Sequence, residues 1–435
     1  MANVIFLAGE AFPEEIMLKV RNKFLVKAKE QNINVLDVGE GLVYTREQIT
    51  KTTTKSNNRN EPYILVFCSW LNEGFVNYLI QQVSQLPIIL VGFDAPGVLI
   101  SISGILATSS NLARLKVPTV KVIGNVNDKN FWNKLRYAIE AANTVTKLRR
   151  ARIGLIGNAC PGMQGTICSV TELKTIGPEV IHLGIPDIME QAKKQIDTPE
   201  VDSLLKKESE YLAADECTEY SLRLAISLYL AIKQKIKELS LNAVAIQCWP
   251  EMPDIYKTSP CYAISCLEDE GYVATCESDI LSATTQLVLR NLSSSATFIG
   301  DIAGYSSENN SLYLWHTGAV PRSLAGTKVV LRTPSALGNG VTVECNLKEG
   351  VLTIAKISRP LEGKFRLFVA KGESISGPKE EGSNLYIKME SPIDRVIHTL
   401  YNNYIEHHLV VSYDKLSGPL LYWSEFMQIP FVSPD

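Results

Sequence analysis

The sequence predicts an α/β protein that has two parallel-sheet domains followed by an antiparallel β domain. Apolar, strand-like segments alternate with helical patterns over residues 1–149, and the same rhythm restarts at Ile153–Ile156 and continues to residue 295. This alternation is typical of parallel sheets with helices on both faces. After about Ser293 the segments become short, β-branched and separated by turns, so residues 296–435 predict an antiparallel barrel or sandwich.

In the first domain, Val4–Leu7 reads as a strand, and residues 14–30 then show helical spacing. Polar, turn-forming residues make up the segment KTTTKSNNRNEP at 51–62, which predicts a loop. Other apolar runs predict strands at Asn34–Leu36, Tyr63–Phe67, Pro87–Val91 and Val117–Ile123. Helices are predicted over 72–86 and 128–147.

The second domain repeats the strand–helix order, and the third domain departs from it. After Ile153–Ile156, strands are predicted at Val180–Leu183 and Ala243–Ile246, with helices over 186–196, 199–210 and 217–239. The third domain shows period-two patterns that predict strands at 311–316, 327–333, 340–347, 351–358, 363–372 and 409–413. One helix is predicted near 392–404.

Composition excludes several classes of function. A net charge of −3 over 435 residues leaves no polybasic surface for nucleic acid or anionic lipid. The N-terminal segment MANVIFLAGEAFPEE lacks the basic start of a signal peptide, and no uncharged run has the ~18 residues of a membrane span. The nine cysteines form no CxxC pair, which predicts reduced thiols rather than a disulfide framework or a zinc ribbon. We therefore expect a cytoplasmic protein.

Two loops of the α/β half follow predicted strands. GNACPGMQG (157–165) lacks both the dinucleotide-binding spacing and the Lys-Ser/Thr of a phosphate loop, so it predicts a strand-to-helix turn that needs permissive glycine. In CSWLNEG (68–74), Trp70 could stack on a sugar ring, and Glu73 could bind hydroxyls or cap the next helix. The GNACPGMQG loop is expected to border a cleft, because loops at the carboxyl ends of parallel strands usually do.

Carboxylates follow two predicted strands of the second domain. Glu251 comes just after Ala243–Ile246, and Glu277 and Asp279 occupy the turn before a predicted helix at 280–290. Strand ends of one parallel sheet meet at one edge, which favours a shared cleft. The structural alternative is that Asp279 or Ser278 caps the helix.

Histidine is scarce, with five in the chain, so its positions are informative. His316 ends a predicted strand, and the pair His407 and His408 enters another. Because neighbouring side chains of a strand point to opposite faces, one of the pair can point inward while the other stays at the surface. Two carboxylates with one or two imidazoles suit a divalent ion such as Mn²⁺.

Four ordered motifs over residues 243–413 resemble the L-fucose isomerase and L-arabinose isomerase superfamily, and most of all its shorter, fucose-isomerase-like members. They are CWPEMP, CESDILSATT, DIAGYSSENNSLYLWHTGAVP and EHHLVVSYD. The resemblance implies two Rossmann-like domains and a C-terminal β-barrel domain. It also implies a Mn²⁺-dependent aldose–ketose isomerase that forms a homo-oligomer, a trimer or hexamer. Its active site would lie between the second and third domains, often covered by the first domain of a neighbouring subunit.

The resemblance also implies roles for individual residues. Glu251 and Asp279 would bind the metal and move the proton, with Glu277 as the alternative to Asp279. His408 would be a metal ligand, and His316 either a further ligand or a substrate contact. Trp70, Trp249 and Arg322 are candidate substrate-binding residues, although Arg322 could equally form a surface ion pair. After Tyr413 the chain departs from the superfamily pattern, because DKLSGPLLYW lacks an acidic continuation.

The resemblance implies a free or 6-substituted monosaccharide as the substrate, with fucose, arabinose-type pentoses and 6-substituted hexoses all compatible. Two other functions compete with the isomerase. Paired Rossmann-like domains also build sugar-binding or regulatory proteins without catalysis. A metal-dependent epimerase or aldolase would use the same enediolate chemistry.

Overall fold

The computed structural model describes residues 1–56, 60–83, 86–94, 100–212, 217–335 and 337–435. These residues form two compact units. The first comprises Met1–Lys147 and Gly418–Ile429, and the second comprises Leu148–Ser417 and Pro430–Asp435. Apart from Trp70, every candidate site residue lies in the second unit.

A five-stranded sheet of order β2-β1-β3-β4-β5, parallel throughout, forms the core of the first unit. Its strands are β1 (Ala2–Leu7), β2 (Val35–Val43), β3 (Tyr63–Phe67), β4 (Ile88–Phe93) and β5 (Thr119–Gly124). The helices are α1 (Glu14–Glu30), α2 (Arg46–Ser56), α3 (Glu73–Val83), α4 (Ser101–Arg114) and α5 (Lys129–Leu148). Strands β1 and β3 are buried along their whole length, as expected for strands covered on both faces.

The loop predicted at 51–62 is wrong in its first half, because α2 continues to Ser56. The helix accommodates its hydroxyl groups. Thr53 donates to the Ile49 carbonyl, Thr54 to the Thr50 carbonyl and Ser56 to the Thr52 carbonyl. These bonds satisfy side chains that would otherwise favour a turn. Residues 57–59 of the predicted loop lie outside the described residues, and α4 was not predicted.

The second unit opens with a four-stranded parallel sheet of order β7-β6-β8-β9. Its strands are β6 (Arg152–Ile156), β7 (Glu179–Leu183), β8 (Ala243–Ile246) and β9 (Val273–Thr275). The helices are α6 (Val170–Lys174), α7 (Ile185–Gln195), α8 (Pro199–Glu208), α9 (Glu219–Glu238), α10 (Cys261–Asp269) and α11 (Ile280–Ser293). The first ten residues of α11 are all buried, so this helix lies inside the unit.

A closed six-stranded antiparallel barrel follows in the same unit, of order β14-β17-β10-β11-β16-β15 and closed by the pairing of β14 with β15. Its strands are β10 (Thr297–Ser306), β11 (Ser311–His316), β14 (Gly350–Leu361), β15 (Lys364–Ile375), β16 (Ser383–Met389) and β17 (His408–Ser412). Outside the barrel, β12 (Val330–Arg332) pairs with β13 (Thr342–Glu344), and α12 spans Ile393–Asn402. The predicted class, parallel α/β domains with a C-terminal antiparallel barrel, is confirmed.

The chain ends with α13 (Ser417–Met427) and β18 (Phe431–Val432). Most of α13 belongs to the first unit, and β18 pairs in parallel with β15 in the second. All nine cysteines are free, and six of them are buried. Over the described ranges, the structure contains no helix long and apolar enough to cross a bilayer.

Two features of the second unit bring distant segments together. Helix α11 packs against β14 and β17 of the barrel and against β8 and β9 of the parallel sheet. In the barrel, β10 pairs with β17 so that Asp301 lies opposite His408. The residues at the start of α11 therefore meet the residues at the start of β17.

Candidate metal centre

A strained turn between β9 and α11 presents Glu277. Glu277 and Ser278 both adopt positive φ angles, 57° and 53°, which side chains other than glycine rarely adopt. Asp279 then begins α11 as its N-cap, with one carboxylate oxygen accepting the Ser282 N–H at 2.8 Å. This N-cap was one of the two roles predicted for Asp279.

His408, the first residue of β17, lies between two carboxylates and is 2% exposed. Its Nε2 is 2.9 Å from Oε2 of Glu277, and its Nδ1 is 2.8 Å from Oδ2 of Asp279. Asp301 approaches from β10, with Oδ1 3.6 Å from Nε2 of both His407 and His408. The centre thus combines the end of the parallel sheet with two barrel strands.

The side chains of His407 and His408 differ in exposure, although their rings lie side by side. His407 is 44% exposed, so one imidazole is buried and the other reaches the surface, as predicted. Their ring centroids are nevertheless only 4.2 Å apart. Strand β17 begins at His408, so the alternation of faces does not extend to His407. Glu277, His407 and His408 each contribute one potential ligand atom, and these atoms lie within 4.8 Å of one another.

Asp279 is strongly hydrogen-bonded, and mainly through one oxygen. Its Oδ2 accepts from the Ser282 hydroxyl group, from Lys356 Nζ and from His408 Nδ1, and its Oδ1 accepts the Ser282 N–H. The oxygen that faces His408 is therefore fully engaged by these three donors. Burial is the largest single influence on Asp279 and raises its pKa, but Lys356 and His408 together outweigh burial and hold the pKa of the carboxyl well below its usual range.

Because Asp279 is ionised, the shared hydrogen of the Asp279–His408 contact belongs to Nδ1. A neutral imidazole with its hydrogen on Nδ1 carries a lone pair on Nε2. Carboxylates behind metal-binding histidines fix the tautomer in this way. Asp279 therefore fixes the neutral tautomer of His408, and the Nε2 atom faces Glu277.

Glu277 Oε2 is a buried acceptor that receives no hydrogen bond from any described residue. The His408 Nε2 atom lies 2.9 Å from this oxygen. Two ligands of one octahedral ion at ~2.1 Å lie about 3 Å apart, which matches the 2.9 Å between the two atoms. Carboxylate with imidazole is a donor set that suits Mn²⁺ and similar ions. The residues present fit a divalent cation.

His316, at the end of β11, is 4% exposed and borders this group. Its Nδ1 accepts the Gly318 N–H at 3.3 Å, which assigns the ring hydrogen of the neutral form to Nε2. Burial is the main influence on the ring and lowers the pKa of His316, against the nearby charges of Asp301 and Glu277. A neutral ring with a hydrogen on Nε2 is a donor to an oxygen atom rather than a metal ligand.

Glu251 follows β8 and lines a cleft of about 460 Å³ with Asn158, His182, Gln247 and Ile255. Its carboxylate accepts a hydrogen bond from Gln247 Nε2. The side-chain oxygen of Gln247, Oε1, accepts the Asn158 N–H at 2.8 Å. Glu251 is half-buried, and it is not a member of the Glu277–His407–His408 group. The structure thus places it in a cleft, oriented by Gln247.

The glycines of the GNACPGMQG loop do serve a tight turn, as predicted. Gly157 and Gly162 adopt φ angles of +80° and +84°. A Cβ on Gly157 would lie 2.5 Å from Oε1 of Gln247, so this glycine lets the backbone approach the side chain that orients Glu251.

The remaining candidates lie elsewhere. Trp249 is half-buried against the core of the second unit. Arg322 forms an ion pair with Glu208, and its guanidinium lies 4.8 Å from the centre of the Tyr211 ring. Arg322 is thus engaged in an ion pair, the alternative that the sequence left open. Trp70, in the first unit, is 41% exposed and lines a separate cleft of about 330 Å³.

Two residues of the centre were not predicted, Asp301 and Lys356. Lys356 carried a readable signal, because it shares the inward face of β14 with Leu352 and Ile354, both buried. A lysine at a core position of a strand is rare unless it is paired. Asp301 carried no comparable signal, since an acidic residue at the rim of a barrel strand is ordinary.

The fold and the centre together define a protein with parallel α/β sheets, a C-terminal antiparallel barrel and a carboxylate–imidazole site suited to a divalent ion. No family model matches the chain. Curated relatives exist, and each is a sulfoquinovose isomerase. The protein from Alkalicoccus urumqiensis is 28% identical over 341 residues, 76% of either chain. That from Priestia aryabhattai is 26% identical over 329 residues, 74% of this chain and 73% of the relative. A relative from Clostridium sp. (strain MSTE9) is 22% identical over 314 residues, 71% and 70% of the two chains. The chain is accordingly a sugar isomerase, an enzyme of carbohydrate metabolism that interconverts an aldose and a ketose.

Proposed function

We propose that this protein is a Mn²⁺-dependent ketol isomerase whose substrate is an aldohexose with an anionic group at C6, with sulfoquinovose as the first candidate. The observation that carries the metal is the pair of facing potential ligand atoms, Glu277 Oε2 and His408 Nε2, 2.9 Å apart. The substrate class comes from the sulfoquinovose isomerases that align with about three quarters of the chain. The motif resemblance supports distant membership of the L-fucose and L-arabinose isomerase superfamily.

Glu277 and His408 would hold the ion, with Asp301 and His407 beside them. A divalent ion at this position supplies polarisation of the substrate oxygens at C1 and C2, which acidifies the C2 hydrogen. Asp279 would orient His408 rather than bind the ion itself, because its Oδ2 already accepts from Ser282, Lys356 and His408.

Glu251 is the proposed base. It would accept the proton from C2 and return it to C1, while the hydroxyl proton on the C2 oxygen moves to the C1 oxygen, so that the aldose becomes the ketose. A positioned base of this kind contributes about 10²–10⁴-fold to the rate. Gln247 holds the Glu251 carboxylate in its cleft, and the Nε2–H of His316 would donate to a substrate oxygen.

We also propose that the protein is a homo-oligomer and that Trp70 contacts the substrate of a neighbouring subunit. The support for this is the exposed indole of Trp70 in a cleft that also contains Tyr44 and Arg46. Light scattering tests the oligomer. Trp70→Ala should raise KM more than it lowers kcat, and an unchanged KM would contradict the contact.

The test of the reaction is incubation of the purified protein with sulfoquinovose in D₂O, with and without Mn²⁺, followed by NMR. Glucose 6-phosphate, L-fucose and L-arabinose serve as the comparison panel. We expect a ketose product with deuterium at the exchanged carbon, formed only with the metal present. Carbon–carbon cleavage would indicate an aldolase, and an epimer without ketose would indicate an epimerase. Absence of any product across the panel would contradict the proposal.

A further inference from the structure

Lys356 is the most deeply buried charged side chain near the centre, at 0% exposure. Its Nζ donates to Oδ2 of Asp279 at 2.8 Å and to Oγ of Ser282 at 2.7 Å. Burying a lysine is costly even when it is paired, and apolar residues can often replace such pairs without loss of stability. Stability alone is therefore a weak reason for this lysine.

The position of Lys356 links it to His408 through one atom. Oδ2 of Asp279 accepts from Lys356 Nζ and also from His408 Nδ1, each at 2.8 Å. Without the lysine, this carboxylate would keep its bonds to Ser282 but lose the charge that faces Oδ2 from β14. Apart from His408 itself, only the Ser282 hydroxyl group would then hold Oδ2, so the position of this oxygen, and of the imidazole bonded to it, would be less restricted.

We propose that Lys356 is a positioning residue of the metal centre, which holds Asp279 so that His408 presents Nε2 beside Glu277. This inference rests on the proposed function, because it assigns to the relay a purpose in binding the divalent ion. The order of the relay is Lys356, Asp279, His408, and only the last member touches the ion. Outer-shell partners of metal-binding histidines typically change metal affinity by about 10–100-fold when they are removed.

The competing account is that Lys356 and Asp279 merely fasten α11 to the barrel. The chain offers a matched control for that account. Arg290, on the same helix, donates to Glu268 at 2.8 Å, and this ion pair is also buried, with side chains 12% and 1% exposed. It touches none of the residues of the metal centre that the structure describes. Both ion pairs attach α11 to its surroundings, and only one reaches His408.

The experiment compares metal-free wild type, Lys356→Met and Arg290→Met by isothermal titration with Mn²⁺, with circular dichroism as the check on folding. We expect Lys356→Met to weaken Mn²⁺ binding about 10–100-fold. Arg290→Met should lower the melting temperature and leave Mn²⁺ affinity as in wild type. Electron paramagnetic resonance of free Mn²⁺ provides a second measure of the affinity that does not depend on catalysis.

A double-mutant cycle tests whether the lysine acts through Asp279. In an Asp279→Asn background, Lys356→Met should add almost no further loss of Mn²⁺ affinity, because the relay is already broken. If Lys356→Met does not fold, Ser282→Ala takes its place, since Ser282 Oγ bonds to both Lys356 and Asp279. That variant should weaken Mn²⁺ binding by a smaller factor.

The outcomes separate the two proposals. Equal Mn²⁺ affinity of wild type and Lys356→Met, or additive losses in the cycle, would overturn the positioning role while leaving the isomerase intact. Loss of affinity in Arg290→Met equal to that in Lys356→Met would also overturn it, since general destabilisation would then explain both. A wild type that binds no Mn²⁺ would instead refute the metal-dependent function and the relay with it.

Discussion

Asp279 accepts the Nδ1 hydrogen of His408 at 2.8 Å, across 129 positions of sequence. This single bond connects the turn after the last strand of the parallel sheet with the first residue of a barrel strand. It fixes which nitrogen of the imidazole is free, and so it fixes the face on which a cation can bind. The roles of Glu277, Asp279 and His408 all follow from it.

Glu251→Gln should separate chemistry from metal binding. The amide keeps the size of the side chain but cannot accept a proton, so we expect kcat to fall by about 10²–10⁴-fold with unchanged Mn²⁺ affinity. Steady-state kinetics and titration calorimetry measure the two effects. Asp254→Asn, an exposed carboxylate three positions away, is the matched control and should retain normal kcat. Near-normal activity of Glu251→Gln would exclude it as the base.

Glu277→Gln should produce the opposite pattern. Glu277 is proposed to supply an anionic ligand atom, and a neutral amide oxygen binds Mn²⁺ far less well. We expect Mn²⁺ affinity to drop by at least the factor expected for Lys356→Met, and activity to recover in part at high Mn²⁺ concentration. If Glu277→Gln binds Mn²⁺ like wild type, the ligand assignment is wrong.

Mn²⁺ binding should strengthen as the pH rises. In the metal-free protein, burial disfavours the charged imidazole, but the contacts with Asp279 and Glu277 outweigh burial and raise the pKa of His408 to about 9. The ion must displace the proton from Nε2, so its apparent affinity should rise about tenfold per pH unit below that pKa and level off above it. Calorimetry across this range, in buffers of different ionisation enthalpy, should also detect the released proton. A flat profile would contradict the displacement.

The raised pKa of His408 also predicts how the stability of the metal-free protein depends on pH. The folded pKa of His408 lies above its ordinary value of 6.5, so the protonated group stabilises the fold at low pH. That contribution should be complete below about pH 6.5 and should disappear as the pH rises through about 9. Denaturant titration of metal-free wild type and His408→Gln checks this, since the variant should lack the loss over that window.

Gly157→Ala should damage turnover more than stability alone explains. Its φ of +80° makes any side chain strained by about 1–2 kcal/mol, and its Cβ would lie 2.5 Å from Gln247 Oε1. We expect lower kcat with unchanged Mn²⁺ affinity, because Gln247 orients Glu251. Gly162→Ala has a similar φ of +84° and open space around its Cβ, so it should lose stability without losing kcat. Equal kcat in the two variants would contradict the role of Gln247.

The sequence by itself determined the fold class and much of the order of elements. Apolar runs such as Tyr63–Phe67 and period-two segments such as Ser311–His316 record burial directly, because a strand's pattern of exposure is local. The same reasoning located Glu251 and Glu277 at strand ends and His316 and His408 on barrel strands. It failed for the end of α2. The composition there is rich in threonine and is typical of a loop, but the hydroxyl groups donate to carbonyl groups within the helix.

Only the tertiary structure decided how the polar residues are paired. Glu277 and Asp279 are two residues apart, and both carry a carboxylate. The left-handed turn places Glu277 beside Nε2 of His408, and the N-cap position places Asp279 beside Nδ1. Lys356 and Asp301 join the centre from strands far along the chain. Such contacts depend on the docking of α11 onto the barrel, which no local pattern of residues encodes, since periodicity specifies which face is buried and not what it meets.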